Sequence, residues 1–561
     1  MPITDLLTRN ARLYPNEVCL SEVNPELRGG PEALWCEYDL LAPDTGSYAR
    51  REITWRQFDE AANRIAHLLL SRGIGRGNKV AILLTNCLEW LPIYFAVLKT
   101  GALAVPMNYR YTADEIEYCL NLAQAETLIF GPEFVERIAA ISERITELAT
   151  RFFLGADHPP FAENLSLAAE FPPETPAIAL SDHDEAAVYF SSGTTGFPKA
   201  ILHDHHALMA SCETEQHHHG QTRVDNFLCI PPLYHTGAKM HWFGSLLAGS
   251  KAVLLRGVTP EWILKTASEE GCTIVWLLVP WAQDILDALD RGDLSLADYD
   301  LSRWRLMHIG AQPVPPSLVE RWLERFPHHQ YDTNYGLSES TGPGCVHLGV
   351  ENTHKVGAIG KAGHLWETAI VDENGDLVRP GEVGELAVKG PGVMKGYFRD
   401  PEATAAVLRD GWLLTGDMAR TDEDGFIYLV DRKKDVIITG GENIYPVEIE
   451  DFFRRHEAVK DIAVIGLPDQ RLGETVAAVI ELKPGVVATA EQMSEFAAAL
   501  PRYKRPRTVI FDTVPRNPTG KIEKLTLRER YCGGSLVEAQ LKRPTEESSG
   551  SSPSGSPGPQ R

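Results

Sequence analysis

The chain has 561 residues, too many for one ordinary hydrophobic core, so two or more domains are expected. With 43% hydrophobic and 23% charged residues it has the composition of a soluble globular protein, and no apolar run is long enough to span a bilayer. A formal net charge of −23 argues against general binding to nucleic acid or to an anionic membrane, and leaves room for a local basic site for a phosphorylated ligand. The nine scattered cysteines include no C-x-x-C pair, which argues against a disulfide framework or a zinc site and suits a reducing cytoplasm. Residues 1–7 lack the basic start and apolar core of a signal peptide.

The chain opens with a short amphipathic pattern (Leu6, Leu7, Ala11, Leu13), then a polar stretch with Gly29, Gly30, Pro43 and Gly46 that reads as loop or hairpin. Thr54 reads as an N-cap, and Phe58, Ala61, Ala62, Ile65, Leu68 and Leu69 recur at helical spacing until Gly73 and Gly75 stop the helix. Residues 79–84 read as a buried strand, 88–100 as a helix ending at Gly101, 102–106 as a strand, 115–123 as a helix and 127–130 as a strand. That alternation predicts a parallel sheet covered by helices. It continues with helices near 205–216 and 240–248 and strands at 227–230, 252–255, 273–278 and 306–309. From about 365 the texture turns to β, with turn signals at Asn374-Gly375, Pro380-Gly381 and Asp424-Gly425. A charged run at 431–435 precedes a self-contained α+β pattern: helices at 447–455 and 490–500, strands at 461–465, 475–481 and 508–511. The Ser-, Gly- and Pro-rich residues 544–561 cannot bury enough apolar surface to offset their ordering entropy and read as a disordered tail.

The stretch that carries the most chemistry follows the apolar residues 186–190. Ser191, Ser192, Gly193, Thr194, Thr195 and Gly196 offer backbone N–H groups and hydroxyls, with Lys199 close behind, which is a recipe for holding a polyphosphate. A Gly/Ser/Thr surface loop is the plainer alternative. The order differs from the G-x-x-x-x-G-K-[ST] loop of P-loop NTPases. Further on, His235 stands at a strand end, as a core residue or a site residue. Tyr335, Gly336, Ser338 and Glu339 offer an aromatic face, a close-approach glycine, a hydroxyl and a carboxylate, or merely a turn. Asp417 follows a strand, and Lys521 sits on a tight turn where a surface lysine is the ordinary reading.

Taken together, these stretches resemble the adenylate-forming superfamily of acyl-CoA synthetases, firefly luciferase and peptide-synthetase adenylation domains. The resemblance runs over about residues 50–530, through 191–199, 232–235, 310–312, 335–339, 415–417, 431–435, 440–446 and 518–521. It implies an α/β fold: a large N-terminal domain of stacked α/β sub-sheets with a β-rich subdomain (1–430), a hinge (431–435) and a small mobile α+β C-terminal domain (436–535). It also implies the chemistry. A carboxylic acid attacks the α-phosphorus of ATP to give an acyl-adenylate and pyrophosphate, and the thiol of coenzyme A then displaces AMP.

By the same resemblance, Ser192, Gly193, Thr194, Thr195, Gly196 and Lys199 hold the phosphates, Ser338 touches phosphate, and Glu339 binds Mg²⁺. Tyr335 stacks on adenine with Gly310 and Ala311 on its other face, and Asp417 and Arg432 hold the ribose hydroxyls. Lys521 bridges carboxylate and phosphate, Lys434 is the hinge residue, Gly440 and Gly441 line the pantetheine tunnel, and His235 sits where acid and thiol meet. Gly336, where acetate-specific members carry tryptophan, implies a pocket deeper than acetate. Trp276, Trp281, Lys239, Met240 and Trp242 lie in stretches that line the acid site in relatives; Lys239 is expected to snorkel at the pocket rim, with pairing to a second substrate carboxylate as the alternative. Gln312 replaces a commonly small residue. His203, His205, His206 and His217–His219 lack carboxylate or Cys partners at metal-like spacing and are expected to be solvated or helix-packing. The expected partners are a small carboxylic acid and CoA, with no nucleic acid and no integral membrane association, and with monomer and homodimer both open. The competing reading is transfer of the acyl group to a separate carrier-protein thiol.

Overall fold

Thr54 opens the first long helix through a reciprocal cap. Its hydroxyl accepts from the Gln57 N–H at 3.3 Å and the Gln57 side chain accepts from the Thr54 N–H at 2.8 Å. The helix Trp55–Ser71 then buries Phe58, Ala62, Ile65, Leu68 and Leu69, and ends before Gly73, whose φ of +76° is left-handed. This computed structural model describes residues 1–25, 40–41, 50–191, 198–310, 314–439, 442–516 and 522–532. The polar stretch with Gly29, Gly30, Pro43 and Gly46 lies outside them. Leu13, read as part of the first apolar stripe, is 52% exposed at the end of the helix Thr4–Leu13.

Two sheets dominate the larger unit, residues 1–434. An eight-stranded sheet has the order Gly396–Tyr397, Lys199–Asp204, Glu185–Ser191, Leu103–Pro106, Lys79–Leu83, Thr127–Phe130, Thr150–Phe153, Glu163–Asn164. Its strands run parallel from Glu185–Ser191 onward and antiparallel at the Lys199–Asp204 edge. A seven-stranded sheet has the order Gln330–Asp332, Leu306–Gly310, Ile274–Leu278, Asn226–Cys229, Lys251–Leu255, Val18–Val23, Arg50–Thr54, parallel except at the last strand. Apolar runs form the central strands of both sheets, such as Thr127–Phe130 and Ile274–Leu278, as expected where both faces are covered. The helix Trp90–Lys99 is buried on every side; its Lys99 is accommodated by Asp59 at 2.7 Å and Asn63 at 2.6 Å.

Beyond residue 365 the chain forms an antiparallel sheet from Glu367–Val371, Gly384–Lys389, Trp412–Thr421 and Ile427–Arg432. The smaller unit runs from 435 to 516 and resumes at 522. Its sheet is built on the long hairpin Val459–Asp469 and Gly473–Leu482, with Thr508–Phe511 added in parallel and the helices Pro446–Phe453 and Ala490–Phe496 alongside in sequence. Stacked α/β sub-sheets, a β-rich region and a small α+β unit agree with the fold class read from the sequence. Among the described residues no helix is long and apolar enough to cross a membrane.

Candidate active site

The buried strand Glu185–Ser191 carries the chain into the site, and Lys199–Asp204 returns antiparallel with Ser191 opposite Lys199. Ser192, Gly193, Thr194, Thr195 and Gly196 lie between them, outside the described residues. The Lys199 ammonium lies 4.5 Å from the ring centroid of Tyr397, and the Tyr397 hydroxyl donates to Glu339 Oε1 at 3.0 Å. The short strand Gly396–Tyr397, paired with the Lys199 strand at Leu202 and Ile201, places that tyrosine. Burial, and then the Glu339 carboxylate, push the Tyr397 phenol up, so it remains a donor at neutral pH. Glu339 is further fixed through its carbonyl, which accepts from the Met394 N–H at 2.8 Å. Tyr397 was not legible as a site residue: a single tyrosine in Gly-Tyr-Phe has no spacing signal, and only strand pairing brings it to Glu339.

Ser338, one residue earlier, has its hydroxyl 3.2 Å from that of Thr236. Its carbonyl lies 2.7 Å from His203 Nε2, which therefore carries the ring proton. Burial brings His203 down to about 4, so the ring is neutral at pH 7. For His203 alone this corrects the expectation of solvated or helix-packing histidines. His203 is a buried strand residue that holds a site backbone, and His205 and His219 are also buried, whereas His206 and His217 are exposed.

On the opposite wall Tyr335 is 8% exposed and its phenol donates to Asp417 Oδ2. Asp417 Oδ1 takes Arg432 Nε at 3.0 Å, and the two residues are direct cross-strand partners. Gly416, at φ +74°, lets the strand turn so that its N–H reaches Glu385 Oε1 at 2.9 Å while its carbonyl accepts from Lys433 N–H at 2.9 Å. The Asp417 N–H donates to Thr415 Oγ1 at 3.1 Å, and that hydroxyl donates to the Leu386 carbonyl at 2.7 Å. The carboxylate is thus held from both sides at a set orientation. Gly310 ends its strand beside Asn334, and Gly336 lies half-buried between Tyr335 and Leu337.

His235 is the N-cap of the helix Thr236–Ala248, and its Nδ1 accepts from the Gly237 N–H at 3.1 Å. That bond leaves the proton on Nε2. The ring lines a small pocket together with Tyr189, Phe190, Tyr234 and Thr236. A Cβ on Gly237 would stand 3.1 Å from the Trp276 ring and 3.2 Å from His235 Nδ1, so glycine keeps both where they are.

Lys239 is not at a rim. Its side chain is fully buried, with Nζ 4.0 Å from the Tyr189 centroid, 4.6 Å from that of Tyr94 and 5.4 Å from that of Trp90. Burial pushes its ammonium far down. Trp242 likewise belongs to the core, against Phe58 and Phe95, and not to an acid pocket. Trp276 does stand near His235, through Gly237, and stacks on His241 at 4.3 Å. Lys434 closes the larger unit. Ala311, Gln312, Gly440, Gly441 and Lys521 lie outside the described residues.

Residues 36–398 match the family described as AMP-binding enzyme, and residues 448–521 match the AMP-binding enzyme C-terminal domain. The chain is 32% identical to the long-chain-fatty-acid–CoA ligase FadD13 of Mycobacterium tuberculosis, over 85% of this chain and 93% of that protein. It is 34% identical to the feruloyl-CoA synthase of an Amycolatopsis species, over 85% of this chain and 94% of the other. Among solved structures, the anthranilate CoA ligase AuaEII in complex with anthranoyl-AMP superposes with a TM-score of 0.83 at 25% identity, over 96% of this chain and 98% of that one.

Proposed function

The chain belongs to the AMP-binding enzyme family, the adenylate-forming superfamily whose members here are AMP-forming acid–thiol ligases, and from that premise we propose that it is an ATP-dependent acid:CoA ligase. In the first half-reaction a substrate carboxylate oxygen attacks the α-phosphorus of ATP. The bond to the β-phosphate oxygen breaks, giving acyl-adenylate and pyrophosphate. In the second, the sulfur of CoA attacks the acyl carbon, the acyl–oxygen bond to AMP breaks, and the thiol proton passes to solvent.

The observation that carries this reading is the nucleoside wall. Tyr335 offers an aromatic face whose hydroxyl fixes Asp417, and Asp417 is paired with Arg432, so a carboxylate and a guanidinium are presented together beside that ring. Such a set suits an adenine face with two ribose hydroxyls. Glu339 suits Mg²⁺: it is a half-buried hard oxygen donor whose one hydrogen-bonded oxygen is held by Tyr397. Bound there with ATP, Mg²⁺ would neutralise phosphate charge. Lys199, held over Tyr397, adds a point cation on the same side. His235 Nε2–H is assigned as the donor to the acid carboxylate in the pocket beside Tyr189 and Tyr234. Ser192, Gly193, Thr194, Thr195 and Gly196 are assigned to the β- and γ-phosphates, Gly440 and Gly441 to the pantetheine path, and Lys521 to the attacking carboxylate, on the family resemblance. A reducing cytoplasm suits the eight free cysteines among the described residues.

Gly336 leaves room for an acid larger than acetate, and relatives named for long-chain fatty acids and for ferulate support a larger acid. The test is pyrophosphate release from ATP over a panel of aliphatic and aromatic acids, with CoA present or omitted. The expected outcome is acid-dependent release and CoA-dependent acyl-CoA formation. Release that never leads to acyl-CoA would instead favour a carrier-protein thiol as the acceptor.

A further inference from the structure

Beneath the Trp276 indole the larger unit brings six buried titratable side chains together. Glu215 and His219 come from one turn of the helix His205–His219, and His241 comes from the helix Thr236–Ala248. His308, Asp332 and His347 come from the strands Leu306–Gly310, Gln330–Asp332 and Gly342–His347. None of the six is more than 4% exposed. Among the described residues neither carboxylate has a lysine or arginine partner; both face imidazoles. Glu215 Oε2 lies 3.6 Å from His219 Nδ1 and 3.6 Å from His241 Nε2, and Asp332 Oδ2 lies 3.3 Å from His347 Nδ1 and 3.8 Å from His308 Nδ1.

A buried anion facing only neutral donors is costly to retain. Glu215 Oε2, His219 Nδ1 and His347 Nε2 take no hydrogen bond among the described residues. His241 Nδ1 lies 2.6 Å from the Gly237 carbonyl and so carries the proton, which leaves a lone pair on Nε2, the nitrogen nearest Glu215. The Asn334 amide reaches both, at 3.1 Å to His241 Nε2 and 3.5 Å to Glu215 Oε1, and steadies the pair. His219 Nε2 and His308 Nδ1 are 3.0 Å apart. One nitrogen from each of His219, His241 and His308 lies within 4.8 Å of the others. A tetrahedral zinc ion, with bonds of about 2.1 Å, sets its ligand atoms roughly 3.4 Å apart, so the three nitrogens must draw together to hold one ion.

We propose that His219, His241 and His308 form a buried site for a divalent transition metal of the zinc type, with the Glu215 carboxylate beside it, tying two helices to the seven-stranded sheet. Three imidazole nitrogens select a borderline ion over Mg²⁺ or Ca²⁺, which take all-oxygen shells, and the neighbouring carboxylate offsets its charge. The site is distinct from Glu339, and the inference does not rest on the ligase reading, because its test is metal binding and not turnover. The scattered cysteines gave no sign of it: its histidines are spread over the helices 205–219 and 236–248 and the strand 306–310, and only the i, i+4 pair Glu215 and His219 is local in sequence.

The experiment is cobalt(II) titration of the full chain, produced without a histidine tag and stripped with chelator. One equivalent should bind with the intense visible absorption of a tetrahedral site, be displaced by one equivalent of zinc(II), and raise the thermal midpoint. Glu215→Gln, which keeps volume, and His308→Gln should each weaken metal binding by at least about tenfold. A wild-type chain that binds no stoichiometric cobalt, or shows only octahedral cobalt, overturns the proposal whatever the variants do. Full affinity retained in both variants does so as well. Binding of polar acids that depends on Glu215 with no cobalt band would make the cluster an acid subsite and not a metal site.

Discussion

Lys239 shows what one residue's burial decides. Counted from the polar His235, a lysine four positions on reads as a rim residue, yet on an α-helix positions 237 and 241 share a face and 239 points away from it. Gly237 and His241 meet Trp276, while Lys239 turns into the ring cage of Tyr189, Tyr94 and Trp90. Its Nζ takes no hydrogen bond among the described residues, and burial disfavours its charged form. Replacing an unsatisfied buried amine by a thioether of similar length removes that penalty, so Lys239→Met is expected to raise stability by about 1–3 kcal/mol in chemical denaturation. The order of preference among acids should stay unchanged. A destabilised variant, or one with altered acid preference, would restore a substrate role to the lysine. Tyr335, Glu339, Asp417 and Arg432 were singled out through the family resemblance, and the structure joins Tyr335 to Asp417 and Asp417 to Arg432. Tyr397 and Thr236 were not, because strand pairing and helix placement alone bring them to Glu339 and Ser338.

At the level of elements, local chemistry was readable and pairing was not. The Thr54 cap and the apolar stripe after it announced the helix Trp55–Ser71. Thr54→Ala should lose about 1 kcal/mol, read as a lower urea midpoint, while Thr54→Ser should keep most of it. If alanine left the midpoint unchanged, the cap seen at 2.8 and 3.3 Å would be contributing nothing. The strand Val18–Val23 escaped the sequence reading because Ser21 and Glu22 interrupt its apolar run. Glu22 is fully buried all the same, since it accepts from Arg51 at 3.1 Å and from the Leu88 N–H at 2.8 Å. Arg51 in turn binds Glu89 through two hydrogen bonds. Polar residues satisfied by partners 29 or more positions away look like loop in a linear reading. The order of strands in the two large sheets was equally illegible, because buried parallel strands carry near-identical apolar runs that do not name their neighbours.

The whole chain divides its proposed chemistry between two half-reactions, and the proposed role of Lys521 makes them separable. An ammonium that offsets charge where carboxylate meets phosphate acts on the first transition state and has no such charge to offset in the second. Lys521→Ala is expected to lower acid-dependent pyrophosphate release by about 10²–10³-fold. Acyl-CoA formation from supplied acyl-adenylate should stay within a few-fold of the wild type. Equal losses in a folded variant would refute that division. A second property of the molecule follows from where its histidines lie. Away from the cluster beneath Trp276, burial brings His203, His205 and His329 each down to about 4, against about 6.5 for an exposed ring. Between those values the unfolded chain binds protons that the folded chain refuses, so stability is full above pH 6.5 and is lost as the pH falls toward 4. Each such ring contributes a slope of up to about 1.4 kcal/mol per pH unit. Asp332, raised to about 6 by burial, acts in the opposite sense, as do Glu215, Glu89, Asp5 and Asp451, which burial also raises, while His218 and His347, brought down to about 3, act with the three rings. The thermal midpoint should therefore fall steadily from pH 7 to pH 4.5. His329→Phe, which preserves the stack on Trp304 and Phe326, should make that fall shallower. A midpoint that stays flat or rises on acidification would show that these rings do not remain neutral in the folded protein.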